Sequence, residues 1–493
     1  MSADVILSID QGTTGTTVLA VSRDLEVLGK RTTEFRQIFP KPGWVEHDLE
    51  EIWSSTTSTI AALLEGLALD PKRIAAIGIT NQRETIGVWE KKSGAPVHNA
   101  IVWQCRRTAG VCAELKAAGH EPTVRERTGL VLDPYFSATK LAWLLDEVDG
   151  ARARAGRREL LAGTIDTFLL FRLTGGAVHA TDVSNASRTS LFSLATGSWD
   201  DELCALFRAP REVLPEVRSS SEVYGVTRGA PGLPDGIPVA GIAGDQQAAL
   251  FGQACFDDGD AKCTYGTGAF LLRHTGERIA RSKHNLLTTC AWKLGPSGPL
   301  EYALEGSVFI AGAAVQWLRD GLGMIERSSD VEALARSVES SGDVVFVPAL
   351  TGLGAPHWRA SARGLITGIT RDTHRGHIAR ATLEGIALSV FEVLEAFKKD
   401  AGALRSLRVD GGAAADDLLM QIQADVLGQP VVRPKMLETT AAGAAFLAGL
   451  AVGLFPSKDA IRAAWREERR FVPGDRARAE ALIARWKHAV ERA

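Results

Sequence analysis

Twice in this chain a strand-like run ends in an acidic or hydroxyl residue and then in a glycine- and threonine-rich turn, at residues 8–17 (SIDQGTTGTT) and at 261–268 (AKCTYGTG). That recurrence points to two similar halves, each presenting a tight turn at a strand end. The first turn holds no lysine, and Thr17-Val18-Leu19-Ala20-Val21 runs on as a β-branched, apolar stretch. Such a continuation predicts a second strand, whereas a Walker A loop requires a Lys-Ser/Thr pair opening a helix. Residues 8–21 therefore read as a β-hairpin, with a further turn at 22–24 leading toward Val27. Glycines at its tip let the backbone approach a ligand, and successive N–H groups can converge on an anion. An ordinary hairpin tip rimmed by threonines fits the same residues.

A length of 493 residues suggests two large domains with a cleft between them. The composition shifts near residues 252–259, which predicts domains at 1–252 and 253–493. A formal net charge of −3 gives no electrostatic case for nucleic acid or an anionic membrane. No signal-peptide pattern opens the chain, and TTAAGAAFLAGLAVGLF (439–455) is short for a membrane span, so it reads as a buried packing helix. The six cysteines form no C-x-x-C pair and the histidines do not join them, which fits reduced thiols in the cytoplasm. Asp48 is placed to cap a helix bearing Ile52, Trp53, Ile60 and Leu63. Residues 74–79, 237–242 and 406–410 are further strand-like runs, and each ends in polar residues or glycines, where open α/β sheets bind ligands. After Gly412, Leu418, Leu419, Ile422, Val426 and Leu427 recur at helical spacing.

Five clusters could carry chemistry. Asp10, beside Thr13 and Thr14, could hold Mg²⁺ through water or merely cap the turn. Arg83-Glu84 could read neighbouring hydroxyls, one donating and one accepting, or form a surface ion pair. Trp103 and Tyr135 could face the carbon edge of a small polyol or pack in the core. Asp245, followed by Gln246, could accept an alcohol proton, and it could equally serve as a helix N-cap. The glycine turns Gly266-Thr267-Gly268 and Gly411-Gly412 could lie flat against a nucleotide. Scattered turns with a free carboxylate suit phosphoryl transfer to an alcohol, which relies on positioning and charge neutralisation.

The chain also resembles the FGGY carbohydrate kinases over nearly its whole length. YFSATKLAWLLD (135–146) and GLITGITRDTHRGHIARATLEGIA (364–387) carry that resemblance. SIDQGTTGTT, PGWVEHD, TNQRET, IVWQCRR, GIAGDQQAALFGQ, KCTYGTGAF and VDGGAAADDLLMQIQADVLG are similar to the members that act on glycerol. The resemblance implies an α/β fold of two actin-like ATPase (ribonuclease H-like) domains flanking a central catalytic cleft. It implies ATP-dependent phosphorylation of glycerol to sn-glycerol 3-phosphate, with ATP and Mg²⁺, in a homo-oligomer (dimer or tetramer) that neither binds nucleic acid nor inserts into membranes. Carried onto this sequence, it places Arg83, Glu84, Trp103, Tyr135, Asp245, Gln246 and Phe270 at glycerol, with Asp245 as the base. It places Thr13, Thr14, Thr267, Gly411 and Asp416 at the nucleotide and Asp10 at the metal.

Three positions depart from the family pattern. Asp416 stands where an asparagine contacts adenine, and Thr17 where an arginine follows the phosphate turn. Residues 227–234 replace a basic, glycine-rich loop that binds fructose 1,6-bisphosphate, so weak or absent regulation by that route is expected. The histidine that some relatives phosphorylate is also missing. Two rivals stay open on sequence: a kinase of this family for another polyol or sugar, and an actin- or chaperone-like ATPase without a small-molecule acceptor.

Overall fold

Both Gly/Thr turns are the tips of hairpins at the centres of two sheets of matching topology. The computed structural model describes residues 3–359 and 361–493. Sheet one contains β1 (Val5–Gln11), β2 (Gly15–Ser22), β3 (Val27–Glu34), β4 (Ile74–Asn81), β5 (Ser221–Val226) and β6 (Pro238–Gly244), in the order β3-β2-β1-β4-β6-β5. Its first three strands are antiparallel, β4 and β6 run parallel to β1, and β5 closes the edge antiparallel.

Sheet two contains β7 (Asp260–Tyr265), β8 (Ala269–His274), β9 (Leu287–Lys293), β10 (Leu300–Val308), β11 (Ser406–Asp410), β12 (Val431–Pro434) and β13 (Glu467–Phe471), in the order β9-β10-β8-β7-β11-β12-β13. Its core β10-β8-β7-β11-β12 repeats β3-β2-β1-β4-β6 in pairing sense. The two halves expected from the repeated turn are therefore present as one topology used twice.

Five helices matter for the site: α1 (Leu49–Gly66), α2 (Asp245–Gly252), α3 (Arg375–Ala401), α4 (Asp417–Leu427) and α5 (Thr439–Ala451). Asp48 caps α1 by accepting from the Glu50 amide at 2.8 Å. Because β1 is buried on both faces, its sequence is a nearly continuous apolar run. Val5, Leu7 and Ile9 pack with α1, whereas Ile6 faces the opposite core beside α5.

Helix α5 is the apolar segment read from the sequence as a packing helix, and it lies between the two sheets. Its Ala441, Ala442, Ala445, Phe446, Leu447 and Ala448 share a core with Ile6, Ala76 and Ala240 of sheet one and with Leu272, Ala291 and Ala303 of sheet two. Burying Phe446 and Leu447 contributes roughly 2–3 kcal/mol each. At Gly443 the helix meets α2 so closely that a Cβ would run into the Ala248 carbonyl oxygen. Among the described residues, no helix is long and apolar enough to cross a membrane. The six cysteines are free and buried.

The two halves are also stitched along one side, between the ends of β5 and β9 and between β10 and the segment at Leu194. The Ser220 amide donates to Lys293 O at 2.9 Å, Gly295 N donates to Ser221 O at 3.0 Å, and the Tyr302 hydroxyl donates to Leu194 O at 2.8 Å. A small third sheet of Glu46–His47, Ala100–Ile101, Ile86–Glu90 and Leu160–Thr164 follows β4 in space and leads into Trp103.

Candidate functional site

Strand β4 ends in a sharp turn through Gln82, Arg83, Glu84 and Thr85, all buried. Glu84 adopts φ +62°, a left-handed conformation that a non-glycine residue holds only when its surroundings enforce it. Arg83 and Glu84 are not a surface pair. The Arg83 Nε stands 3.9 Å from Glu84 Oε1, and each side chain has nearer partners. Arg83 grips Glu305 of β10 with both terminal nitrogens, Nη1 to Oε2 at 2.6 Å and Nη2 to Oε1 at 2.9 Å. Arg188 donates to Glu84 Oε1 at 2.7 Å and to Glu305 Oε1 at 3.0 Å.

Two guanidinium groups and two carboxylates thus neutralise one another away from water. Removing one member would leave a buried charge unpaired. Burial pushes the Glu84 carboxyl up, and the charges of Arg188 and Arg83 offset only part of it. At Glu305 burial also acts upward, but the same two arginines outweigh it and hold the carboxyl below its ordinary range.

Asp245 opens α2, and the residue at the N-cap position is Gly244, so the side chain does not serve as that cap. Its Oδ1 accepts from the Gln246 amide at 2.7 Å and lies 3.1 Å from Arg83 Nε. With Oδ1 engaged, Oδ2 is the oxygen available for a proton. The buried Lys262 ammonium donates to Gln246 Oε1 and to Thr264 Oγ1, the latter at 2.9 Å. The Gln246 amide nitrogen is therefore turned away from Lys262. Trp103, Tyr135 and Phe270 form an aromatic cluster, with Trp103 5.6 Å from Tyr135 and 6.3 Å from Phe270 between ring centres. Burial raises the Tyr135 hydroxyl pKa, which keeps it a neutral donor.

The same indole joins this cluster to the first hairpin, since Trp103 Nε1 donates to Thr13 Oγ1 at 2.9 Å. A buried amide network props the hairpin from beneath. Gln82 Nε2 donates to Gln11 Oε1 at 3.0 Å, to Gly12 O at 3.1 Å and to His47 Nδ1 at 3.2 Å. His47 Nε2 in turn lies 2.8 Å from Gln37 Oε1. This pattern fits the neutral imidazole carrying its hydrogen on Nε2, and burial pushes His47 down to about 4. Thr14 is exposed at the tip and Thr13 half-buried.

Asp10 is the penultimate residue of β1, and its carboxylate makes no side-chain hydrogen bond or ion pair among the described residues. Burial, and then the charges of Asp245 and Glu438, push it up to about 8. An unpartnered carboxylate is the kind of hard-oxygen ligand a divalent cation such as Mg²⁺ takes. Among the described residues no three or more His, Cys, Asp or Glu side chains cluster to hold a metal, so Asp10 would leave most of the coordination to water and substrate oxygens.

On the other side of the cleft, Thr267 O accepts from Ala311 N at 2.8 Å and from Ala313 N at 3.0 Å. The second hairpin tip is therefore held on the start of the helix Gly312–Asp320. Gly411 sits at φ +86°, and a Cβ there would lie 2.5 Å from Tyr265 O, so only glycine fits beside that tip. Asp416 is the N-cap of α4 and accepts from Leu419 N at 2.8 Å. Its Oδ2 is buried without a partner, and burial raises the carboxyl to about 6.

The model of the N-terminal domain of the FGGY family of carbohydrate kinases matches residues 5–252, and the model of its C-terminal domain matches residues 261–452. The chain belongs to the FGGY carbohydrate kinases. Within that family it is 60% identical over 493 residues to a glycerol kinase of Myxococcus xanthus, covering 100% of this chain and 99% of the relative. It is 55% identical over 492 residues to a glycerol kinase of Stenotrophomonas maltophilia, covering 99% and 98% of the two chains. The Plasmodium falciparum glycerol kinase with ADP superposes with a TM-score of 0.93 at 38% identity, over 100% of this chain and 98% of that one. Gluconate kinase from Lactobacillus acidophilus, at 23% identity and a TM-score of 0.87 over 99% and 97% of the chains, shares the FGGY fold.

Sequence reasoning missed three residues of this FGGY site: Glu305, Arg188 and Lys262. Each is a charge set in a run that becomes buried, and that was the available signal. Glu305 alternates with Leu304 and Gly306 on β10, which puts it on the face toward sheet one.

Proposed function

We propose that this chain transfers the γ-phosphoryl group of ATP to glycerol, giving sn-glycerol 3-phosphate and ADP. The observation that carries this is the convergence of Arg83, Glu84 and Asp245 beside the Trp103–Tyr135–Phe270 cluster, in hydrogen-bond continuity with the lysine-free hairpin. Glycerol kinases from two bacteria at 60% and 55% identity over nearly full length support the choice of acceptor. The ADP-bound relative supports the nucleotide.

In this mechanism the carbon edge of glycerol lies on Trp103 and Phe270. Its hydroxyls meet Arg83, Glu84, Tyr135 and the amide of Gln246. Asp245 Oδ2 takes the proton of the terminal hydroxyl as its oxygen bonds to phosphorus and the bond to the ADP oxygen breaks. Thr13 and Thr14 receive the phosphates on one side, while Thr267, Gly411 and Asp416 line the nucleotide side. Asp10 is the residue that would hold Mg²⁺, which when bound would neutralise phosphate charge.

In this reading residues 1–252 supply the phosphate hairpin and all of the acceptor site but Phe270, and residues 253–493 supply Phe270 and the nucleotide site, with α5 packing back on sheet one. A cytoplasmic homo-oligomer, dimer or tetramer, accompanies this assignment, and sedimentation equilibrium checks the assembly. The deciding experiment is ADP release from MgATP with no acceptor, with glycerol, and with gluconate or a pentulose. A large rise with glycerol alone is expected. An acceptor-independent rate, or preference for a sugar, would overturn the assignment.

A further inference from the structure

The side chain that orders the acceptor-reading arginine comes from the opposite sheet. Glu305 is fully buried on β10, while Arg83 follows β4. Its two oxygens take both terminal nitrogens of Arg83, and Oε1 also accepts from Arg188, which in turn holds Glu84. One carboxylate thus fixes, directly or through one intermediate, both members of the pair proposed to read the acceptor hydroxyls. With its terminal nitrogens so held, Arg83 presents Nε toward Asp245.

Strand β10 then leads straight to the nucleotide side. Val308 at its end pairs with Ala269, and three residues later Ala311 N donates to Thr267 O at the second hairpin tip. Six residues of chain therefore connect the carboxylate that orients Arg83 to the backbone that supports the phosphate turn.

We propose that Glu305 is a positioning residue for the acceptor site, supplied by sheet two, which fixes Arg83 directly and Glu84 through Arg188. It touches neither acceptor nor nucleotide and acts by holding these two side chains in their hydroxyl-reading geometry. Because this role rests on the acceptor site proposed above, its test must separate the two.

Glu305→Gln keeps the side-chain size but removes the charge and faces an amide hydrogen toward Arg83. Glu305→Asp keeps the charge but withdraws it by one methylene. Glycerol-dependent ADP release would be measured for both variants and the unaltered chain, together with ADP binding by calorimetry and the melting temperature. The unaltered chain tests the acceptor site: without glycerol dependence there, that assignment fails before Glu305 is considered.

Given glycerol dependence, Glu305→Gln is expected to raise the KM for glycerol about 10- to 100-fold. Glu305→Asp is expected to raise it less, with ADP affinity within twofold in both. An unchanged glycerol KM in either folded variant would overturn the role, even with a lowered melting temperature or less active protein. So would a parallel loss of ADP and glycerol affinity. If Glu305→Gln does not fold, the result with Glu305→Asp decides alone.

Discussion

At Asp245 the geometry separates two jobs that one carboxylate could have had. Oδ1 is committed to Arg83 and to the Gln246 amide, leaving Oδ2 for the acceptor proton. Asp245→Asn is therefore expected to lower turnover about 10²- to 10⁴-fold with little change in melting temperature; near-normal turnover would remove Asp245 from the mechanism. His47 predicts a pH effect on stability. Its folded value of about 4 lies below the ordinary histidine value, so between these the unfolded chain binds a proton that the folded chain refuses. Stability should thus be fully present above about pH 6.5 and fall as the pH drops toward 4. Urea midpoints across that range check it, and His47→Gln should flatten the slope. Gly411→Ala places a side chain at φ +86° against Tyr265 and should destabilise by about 1–3 kcal/mol from conformation alone, with a further loss from the clash. Asp10, Arg83, Asp245 and Gly411 were legible in the sequence as candidates because each lies at or just past the end of a recognisable strand. Glu305 and Arg188 were not, because their partners lie 222 and 104 positions away, and periodicity carries no information about such pairings.

Among the elements, the repeated hairpin and α5 show what local pattern can and cannot reveal. The hairpin at 8–21 and the strand and turn at 261–268 were legible because glycine turns follow runs of strand-forming residues. Helix α5 was legible as a buried helix from its apolar composition, but nothing in residues 439–451 says which surface buries it. That surface is mostly sheet one and α2, reached through small residues that allow close backbone approach. Gly443→Ala should destabilise by about 1–3 kcal/mol, because α5 cannot move away from α2 without leaving sheet one. A Gly443→Ala protein with an unchanged urea midpoint would show that this contact yields freely.

For the molecule as a whole, the stitched sheet edges, the common core around α5 and the Arg83–Glu305 pair tie the two halves together. Calorimetry should show one unfolding transition, and two resolved transitions would mean that these ties are weaker than the two separate cores. The twofold use of one topology was legible from the repeated turn, but the crossing of a late helix into the early half was not. That crossing bears on how the protein is made. Sheet one is complete once Gly244 has been synthesised, yet the helix that covers one of its faces ends at Ala451. While the intervening two hundred or so residues leave the ribosome, that apolar face has no native cover. The nascent chain must therefore carry an open hydrophobic sheet while roughly two hundred further residues are made, and chaperones that bind such surfaces have their longest opportunity there.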